Sequence, residues 1–173
     1  MSPPSFPPEE LRQIVQEVAT LLKERKETIS VAETAAGGLI SATLLSLPGA
    51  SGYYKGGLTL YTLESRIAFA GWTQESIADY KGPTAEVVTG LAEHTRKTLG
   101  STYTISESGT AGPTGGHTRN RTPGYVALAV AREGSTVTRE VETGSAEREG
   151  NMVRFAVEGL KLARDVIKGD EKL

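Results

Sequence analysis

The stretch TISVAETAAGGLISATLLSL, residues 28–47, decides the fold class. Its first six residues favour a β-strand, and Leu39 to Leu47 favour a helix. Gly37 and Gly38 stand between the two, as residues of a turn commonly do. A strand that passes through a glycine turn into a helix, and is followed by another strand, implies parallel pairing of the two strands.

The same alternation continues on both sides of this stretch. Apolar residues at spacings of three and four predict a helix from Leu11, and Glu133-Gly134 predicts a hairpin. The remaining predicted elements are a strand with a bulge or close approach at its glycines over 53–61, helices over 62–69, 73–80, 84–99 and 146–167, and strands over 102–108, 125–132 and 135–142. We therefore expect an α/β protein with a three-layer α/β/α single domain over 11–168 and a flexible lead-in over 1–10. Its sheet is predicted to be mixed and mostly parallel, with about five strands.

The composition excludes several classes of protein. A length of 173 residues fits one domain. With 19 Lys and Arg against 21 Asp and Glu, the chain lacks the basic excess of a protein that binds nucleic acid or an anionic membrane. No apolar run of about 20 residues is present, so we expect no membrane span.

The chain also lacks the usual metal-binding and redox residues. It has no cysteine, which excludes a disulfide framework, a thiolate zinc site and a cysteine nucleophile. Its two histidines, His94 and His117, argue against a multi-histidine metal site. We expect no metal and no cofactor. A cysteine-free chain fits a reducing compartment, so we expect a cytoplasmic protein.

Two glycine-rich segments are candidate ligand sites. After the first predicted strand, Thr34, Gly37 and Gly38 either offer a helix N-terminus to an anion or allow tight helix–sheet packing. Glu33, at the end of that strand, either caps the helix or orients a polar ligand group. The second segment, SGTAGPTGG over 108–116, follows a predicted central strand, where open α/β sheets bind ligands. We favour a backbone cradle there over a plain surface loop, formed by Ser108, Gly109, Thr110, Gly112, Gly115 and Gly116.

Ser51 is a candidate nucleophile, because it lies between glycines at a helix-to-strand junction that would expose its hydroxyl. A nucleophilic serine needs a base to take its proton, and the sequence shows no Ser-His-Asp arrangement. A turn residue is the alternative interpretation.

Taken together, these segments resemble the C-terminal domain of the competence/damage-inducible protein CinA, over about residues 11–167. The resemblance implies a three-layer α/β/α fold, a small nucleotide ligand and a homo-oligomer, with neither nucleic acid nor membrane as a partner. It is carried by Ala32-Glu33-x-x-x-Gly37-Gly38-Leu39, Pro48-Gly49-x-Ser51, Lys55-Gly56-Gly57-x-x-x-Tyr61 and Ser108-Gly109-x-Ala111-Gly112-Pro113-x-Gly115-Gly116.

Stand-alone bacterial members of that family are nicotinamide mononucleotide deamidases, hydrolases of NAD metabolism that release ammonia and nicotinic acid mononucleotide. The resemblance implies that Ser51 is the nucleophile and that Tyr61 and Arg148 match a tyrosine and an arginine of the family's site. The family's basic lysine is Arg66 in this chain. A desolvated lysine can lose its proton, whereas arginine stays protonated. The family's Ser-Cys-Thr is replaced by Thr34-Ala35-Ala36.

Three functions are therefore open: an amidohydrolase that uses Ser51 with another base or a water, a nucleotide-binding protein that has lost catalysis, and an assembly module without a ligand. The missing lysine favours the second, and the presence of Ser51, Tyr61 and the 108–116 segment argues against the third. We expect weak or absent hydrolysis. We also expect Ser51 to meet Glu33, Tyr61 and Ser108 in one cleft, because open α/β sheets collect ligands at their strand ends.

Overall fold

A five-stranded sheet covered by helices on both faces forms this protein, whose computed structural model describes residues 5–170. The strands are β1 (Ile29–Glu33), β2 (Tyr54–Thr59), β3 (Tyr103–Gly109), β4 (Tyr125–Arg132) and β5 (Ser135–Glu142). The α-helices are α1 (Glu9–Arg25), α2 (Leu39–Leu45), α3 (Leu63–Phe69), α4 (Gln74–Ala78), α5 (Ala85–Leu99) and α6 (Arg148–Lys168). Two short 3-10 helices cover Ala50–Gly52 and Arg119–Arg121.

The order of the strands across the sheet is β2-β1-β3-β4-β5. β1 pairs in parallel with both β2 and β3, whereas β4 runs antiparallel to β3 and to β5. Four strands therefore point the same way and β4 alone is reversed, which confirms the predicted mixed, mostly parallel sheet.

The helices complete three layers. On one face, α1, α2 and α6 enclose the main apolar core, which includes Leu11, Ile40 and Phe155. On the other face, α5 packs Val88 and Ala92 against alternate residues of β4. Because both faces are covered, β1 is buried along its whole length. The predicted α/β/α architecture is confirmed. Within residues 5–170, no helix is both long and apolar enough to cross a membrane.

The N-terminal helix begins earlier than expected. α1 starts at Glu9, so Glu9 and Glu10 belong to the helix and not to the lead-in predicted over 1–10. Both acidic residues lie in the first turn, where a negative charge favours the helix dipole. The part of the predicted lead-in that covers residues 1–4 lies outside the described residues.

The outer strand β2 contains the irregularity that its glycines predict. Ile29 faces Tyr54 but Ser30 faces Gly56, so Lys55 is an extra residue without a partner on β1. Gly56 has a φ of +146°, which L side chains rarely adopt. The bulge bends the strand locally without ending its pairing with β1.

The parallel strands give the sheet two distinct ends, which position the candidate site. We call the end at Glu33, Thr59 and Gly109 the carboxyl edge, and the end at Ile29, Tyr54 and Tyr103 the amino edge. α2 carries the chain from the carboxyl edge back to the amino edge before β2 begins. Segments that follow β1, β2 and β3 therefore meet at the carboxyl edge.

Candidate functional site

A cavity of about 390 Å³ opens at the carboxyl edge. Its walls come from the turn after β1, the segment after β2, the loop before α5, the loop after β3 and the first residue of α6. The lining residues are Thr34, Ala35, Tyr61, Arg66, Tyr80, Gly82, Pro83, Ser108, Gly109, Thr110, Ala111, Gly112, Thr114, Arg121 and Arg148.

Glu33 does not line this cavity, because its carboxylate caps α2. One oxygen accepts hydrogen bonds from the backbone N–H groups of Gly38 (2.9 Å) and Ile40 (3.1 Å). The other accepts from the N–H and the hydroxyl of Ser41, both at 3.0 Å. These four bonds compensate for complete burial of the charge. The sequence left two roles open for Glu33, a helix cap or a contact with a ligand, and the structure shows the helix cap.

Glu107 lies beside Glu33 on the neighbouring strand but has fewer hydrogen-bond partners. Its Oε2 accepts from the N–H groups of Thr34 and Ala36, each at 3.0 Å, and its Oε1 is buried without a partner. Burial raises the pKa of Glu107 to about 7. The two backbone hydrogen bonds and the charge of Arg66 oppose this shift, and the charge of Glu33 adds to it. A carboxyl group that changes protonation near neutral pH thus lies behind the cavity wall.

Arg66 is the buried cation of the cavity, with only 3% of its surface exposed. Its guanidinium contacts two neighbouring aromatic rings, with the Cζ atom 5.0 Å from the ring centre of Trp72 and 5.1 Å from that of Tyr80, and the two ring centres lie 5.8 Å apart. Its Nε donates to the carbonyl of Leu60 at 3.2 Å, and its Nη1 is buried without a partner. The guanidinium is thus held in place, with donor capacity left for a ligand.

Arg148 joins three segments of the site. Its Nη1 donates to the carbonyl of Gly112 at 2.9 Å, and its Nη2 donates to the hydroxyl of Tyr61 at 3.1 Å. Because Arg148 is the first residue of α6, these bonds fix the helix start against the loop after β3 and the segment after β2. Arg148 and Arg121 are both exposed and supply the outer positive charge of the cavity.

The inner wall carries two hydroxyl groups in contact. Thr34 Oγ1 donates to Ser108 Oγ at 3.2 Å, and both residues are buried. Gly109 follows directly, and a Cβ atom there would lie 2.7 Å from the ring of Phe155 and 2.7 Å from the carbonyl of Tyr125. Only glycine fits this close approach between the end of β3, α6 and β4.

Eight of the residues expected in the site line the cavity. They are Thr34, Tyr61, Arg66, Ser108, Gly109, Thr110, Gly112 and Arg148. Gly37, Gly38, Gly115 and Gly116 do not line it. Gly37 and Gly38 form the turn into α2, and Gly115 packs against Pro123, where a Cβ atom would lie 2.6 Å from the proline Cδ.

The expected convergence of Ser51 with the other strand ends is wrong for a single chain. Ser51 lies in the 3-10 helix that precedes β2, and is therefore exposed at the amino edge. The six residues of β2 separate it from the carboxyl edge by about 20 Å. The physical reason is the topology, because α2 returns the chain to the amino edge before Ser51.

The sequence did not indicate that the loop before α5 forms a wall of the cavity. Asn120 Nδ2 donates to the carbonyls of Lys81 and Pro83, both at 3.0 Å, and holds this loop against the loop after β3. The loop thereby brings Tyr80 and Gly82 to the cavity. The only available signal was Gly82-Pro83, which indicates a turn but not its neighbours.

The lining favours an anionic ligand. Its ionisable side chains are three guanidinium groups and two phenols, and none of the lining residues is an Asp, Glu, His or Lys. Arginine donates hydrogen bonds and cannot lose its proton, so no lining arginine can serve as a general base. Planar guanidinium groups match the geometry of carboxylate and phosphate oxygens.

Known proteins share the fold. The competence/damage-inducible protein CihA from Agrobacterium tumefaciens has a TM-score of 0.86 and 21% identity, over 97% of this chain and 100% of that chain. A competence or damage-inducible protein from Enterobacter asburiae has a TM-score of 0.83 and 22% identity, over 91% and 98% of the two chains. At these identities the likeness shows the fold alone.

Curated relatives are more similar in sequence. A "CinA-like protein" of Cytophaga hutchinsonii is 34% identical over 87% of this chain and 36% of its own length. Another, from a Thermotoga species, is 31% identical over 90% of this chain and 38% of its own length. The chain thus spans little more than a third of these relatives. The CinA C-terminal domain model matches residues 11–167, and the chain belongs to the CinA C-terminal domain family.

Proposed function

We propose that this chain binds a pyridine mononucleotide in the carboxyl-edge cavity and hydrolyses its carboxamide slowly or not at all. The observation that carries the proposal is the lining of the cavity, which combines Arg66, Arg121 and Arg148 with no carboxylate, imidazole or amine. Such a lining attracts a phosphate but supplies no base to activate a serine or a water.

The position of Ser51 supports the second half of the proposal. Within one chain, this serine lies at the opposite edge of the sheet from the cavity. Among the serine and threonine hydroxyls of the lining, those of Thr34 and Ser108 contact each other. The lining offers them no carboxylate, imidazole or amine that could take a proton. General-base assistance is typically worth about 10²–10⁴-fold in rate, so its loss leaves a slow enzyme at best.

Two measurements test the proposal. Isothermal titration calorimetry with nicotinamide mononucleotide should show binding at a single site, and an absence of binding would contradict the proposal. Ammonia release from the same nucleotide should stay near the background of a Ser51→Ala control. A rate within tenfold of an active bacterial relative, abolished by Ser51→Ala, would instead support the amidohydrolase. An accompanying gain of activity in Arg66→Lys would identify the missing lysine as the reason for slow turnover.

The assembly and location of the chain remain predictions. We propose a cytoplasmic homo-oligomer, because the family resemblance implies self-association and two-fold symmetry is the commonest arrangement for soluble oligomers. Light scattering at micromolar concentration should give a mass above the 18.3 kDa of one chain. A monomer alone would contradict this expectation.

A further inference from the structure

The buried guanidinium of Arg66 interacts electrostatically with Glu107 but forms no ion pair with an acidic residue among residues 5–170. Its Nη1 atom is buried without a hydrogen bond. A buried charge is costly unless it is paired or hydrogen-bonded. Since the side chain also lines the cavity, an anionic group that enters from the cavity is a candidate for the missing partner.

The surroundings of Arg66 favour a flat, planar anion. Trp72 and Tyr80 lie side by side against the guanidinium, with ring centres 5.0 and 5.1 Å from its Cζ atom, and the bond from Nε to the carbonyl of Leu60 holds its orientation. A guanidinium held in this way can donate two parallel bonds to a carboxylate. A carboxamide cannot accept both bonds, because its NH2 group is itself a donor.

The exposed arginines supply a separate place for a phosphate. Arg121 and Arg148 are exposed at the cavity, whereas Arg66 is 97% buried at its inner wall. Phosphate is bulkier and more strongly charged than a carboxylate, so the exposed arginines suit it better. A ligand with an aromatic acid at one end and a phosphate at the other would satisfy both regions.

Building on the proposed function, we infer that Arg66 makes this chain a receptor for the acid form of the nucleotide, nicotinic acid mononucleotide, in preference to the amide form. In this arrangement the ligand carboxylate pairs with Arg66 and the phosphate contacts Arg121 and Arg148. The chain then binds nicotinic acid mononucleotide, the product of an amidohydrolase, more tightly than nicotinamide mononucleotide, the substrate of that enzyme.

Calorimetric titration of the wild-type chain with the two nucleotides tests this inference without any substitution. We expect the acid to bind at least about tenfold more tightly than the amide, the size of effect typical of hydrogen bonds to a charged group. Equal affinities would overturn the inference and leave the proposed function standing. If neither nucleotide binds, both the inference and the proposed function are overturned.

Two variants identify the residue responsible. Arg66→Gln should lower the affinity for the acid about tenfold and leave that for the amide within about threefold, which abolishes the preference. Arg121→Ala, at an exposed position, should lower the affinity for both nucleotides by the same factor, so that the ratio of the two affinities stays unchanged. An equal loss of both nucleotides in Arg66→Gln would place the phosphate at Arg66 and overturn the inference. If circular dichroism shows that Arg66→Gln does not fold, the ratio of the two affinities in the wild type and in Arg121→Ala tests the inference. Loss of the preference for the acid in Arg121→Ala would assign the carboxylate to Arg121 and overturn the inference.

Discussion

The two edges of the sheet bury polar groups in different ways. At the amino edge, Ser30 Oγ lies 2.7 Å from Ser101 Oγ and 2.6 Å from Thr104 Oγ1, and all three hydroxyls are buried. At the carboxyl edge, Arg66 and Glu107 are buried, and each has an atom without a partner. A hydroxyl both donates and accepts, so three hydroxyls satisfy one another, whereas a guanidinium only donates and a carboxylate only accepts.

This difference separates a structural polar cluster from a candidate ligand site. The hydroxyl cluster forms a closed network and requires nothing from outside the chain. The carboxyl edge contains one charged group whose oxygens all have hydrogen-bond partners, the saturated Glu33. Its other two buried charged groups, Arg66 and Glu107, each keep an atom without a partner and are unsaturated. Substitutions at Glu33, Glu107, Arg148 and Ser51 test this distinction, and the size of the expected effect decreases in that order.

The saturated carboxylate should be the most important for stability. Glu33→Ala removes four hydrogen bonds and leaves buried donors of α2 without a partner. We expect the free energy of unfolding to fall by about 4 kcal/mol, measured by urea denaturation. Ser41→Ala is the matched control and should cost only about 1 kcal/mol, because it removes a single donor to Glu33. Similar losses in the two variants would show that Glu33 is not the organising group.

The unsaturated carboxylate should make stability depend on pH. The folded pKa of Glu107, about 7, exceeds its ordinary value of 4.5, so the folded state binds the proton more tightly. This contribution is fully present below pH 4.5, falls as the pH rises through the window from 4.5 to 7, and is lost above it. Glu107→Gln keeps an acceptor for Thr34 and Ala36 but cannot ionise.

The free energy of unfolding of Glu107→Gln minus that of the wild type should therefore increase by about 2–3 kcal/mol when the pH is raised from 5 to 8. Urea denaturation of both proteins at the two pH values measures the gain. Glu33 and Arg66 are the charged groups that act on Glu107, and both are present in each protein. An unchanged difference between variant and wild type would show that Glu107 is ionised throughout this range.

The outer arginine should matter for binding more than for folding. Arg148→Ala breaks the contacts with Gly112 and Tyr61 and removes one positive charge from the cavity. We expect about a tenfold loss of affinity for either pyridine mononucleotide, since a tenfold change corresponds to about 1.4 kcal/mol. Arg154→Ala on the same helix is the control, because Arg154 pairs with Glu158 outside the cavity lining. Equal losses in the two variants would indicate a general charge effect.

The amino-edge serine should have the smallest effect. Ser51 is exposed, so Ser51→Ala should change the free energy of unfolding by less than about 0.5 kcal/mol. Nucleotide affinity should also be unchanged in calorimetry. Ser108→Ala is the comparison at the carboxyl edge, and its loss of a buried cavity hydroxyl should weaken binding several-fold. A strong effect of Ser51→Ala on binding would show that the amino edge takes part in the site.

The architecture was predictable from local sequence patterns. Glycine turns and apolar spacing indicated every strand and most helix ends, and the alternation of strands and helices gave the three layers. The position of Ser51 was predictable as well, because a helix that links parallel strands must return the chain to the opposite edge. The expected convergence treated Ser51 as lying at one of the strand ends where open sheets bind ligands, and the topology shows that it lies before the start of β2, away from the cavity.

Other features of the site depend on contacts between distant segments. The two rings that contact Arg66 belong to residues 6 and 14 positions further along the chain, and α3 and α4 must pack before the rings reach it. Likewise, Asn120 holds a loop nearly 40 residues away. Spacing in the sequence carries no information about either contact, because both are determined by tertiary packing.

The bulge in β2 has a consequence for the behaviour of the chain in concentrated solution. β2 is an edge strand, and a regular edge strand is a template on which strands of other molecules can assemble. Here the extra residue is an exposed lysine, Lys55, and the glycine after it has a backbone geometry that breaks the regular ladder. A charged side chain and an irregular backbone at one point both oppose edge-to-edge pairing. The same irregularity that makes β2 a poor strand thus protects the sheet from aggregation.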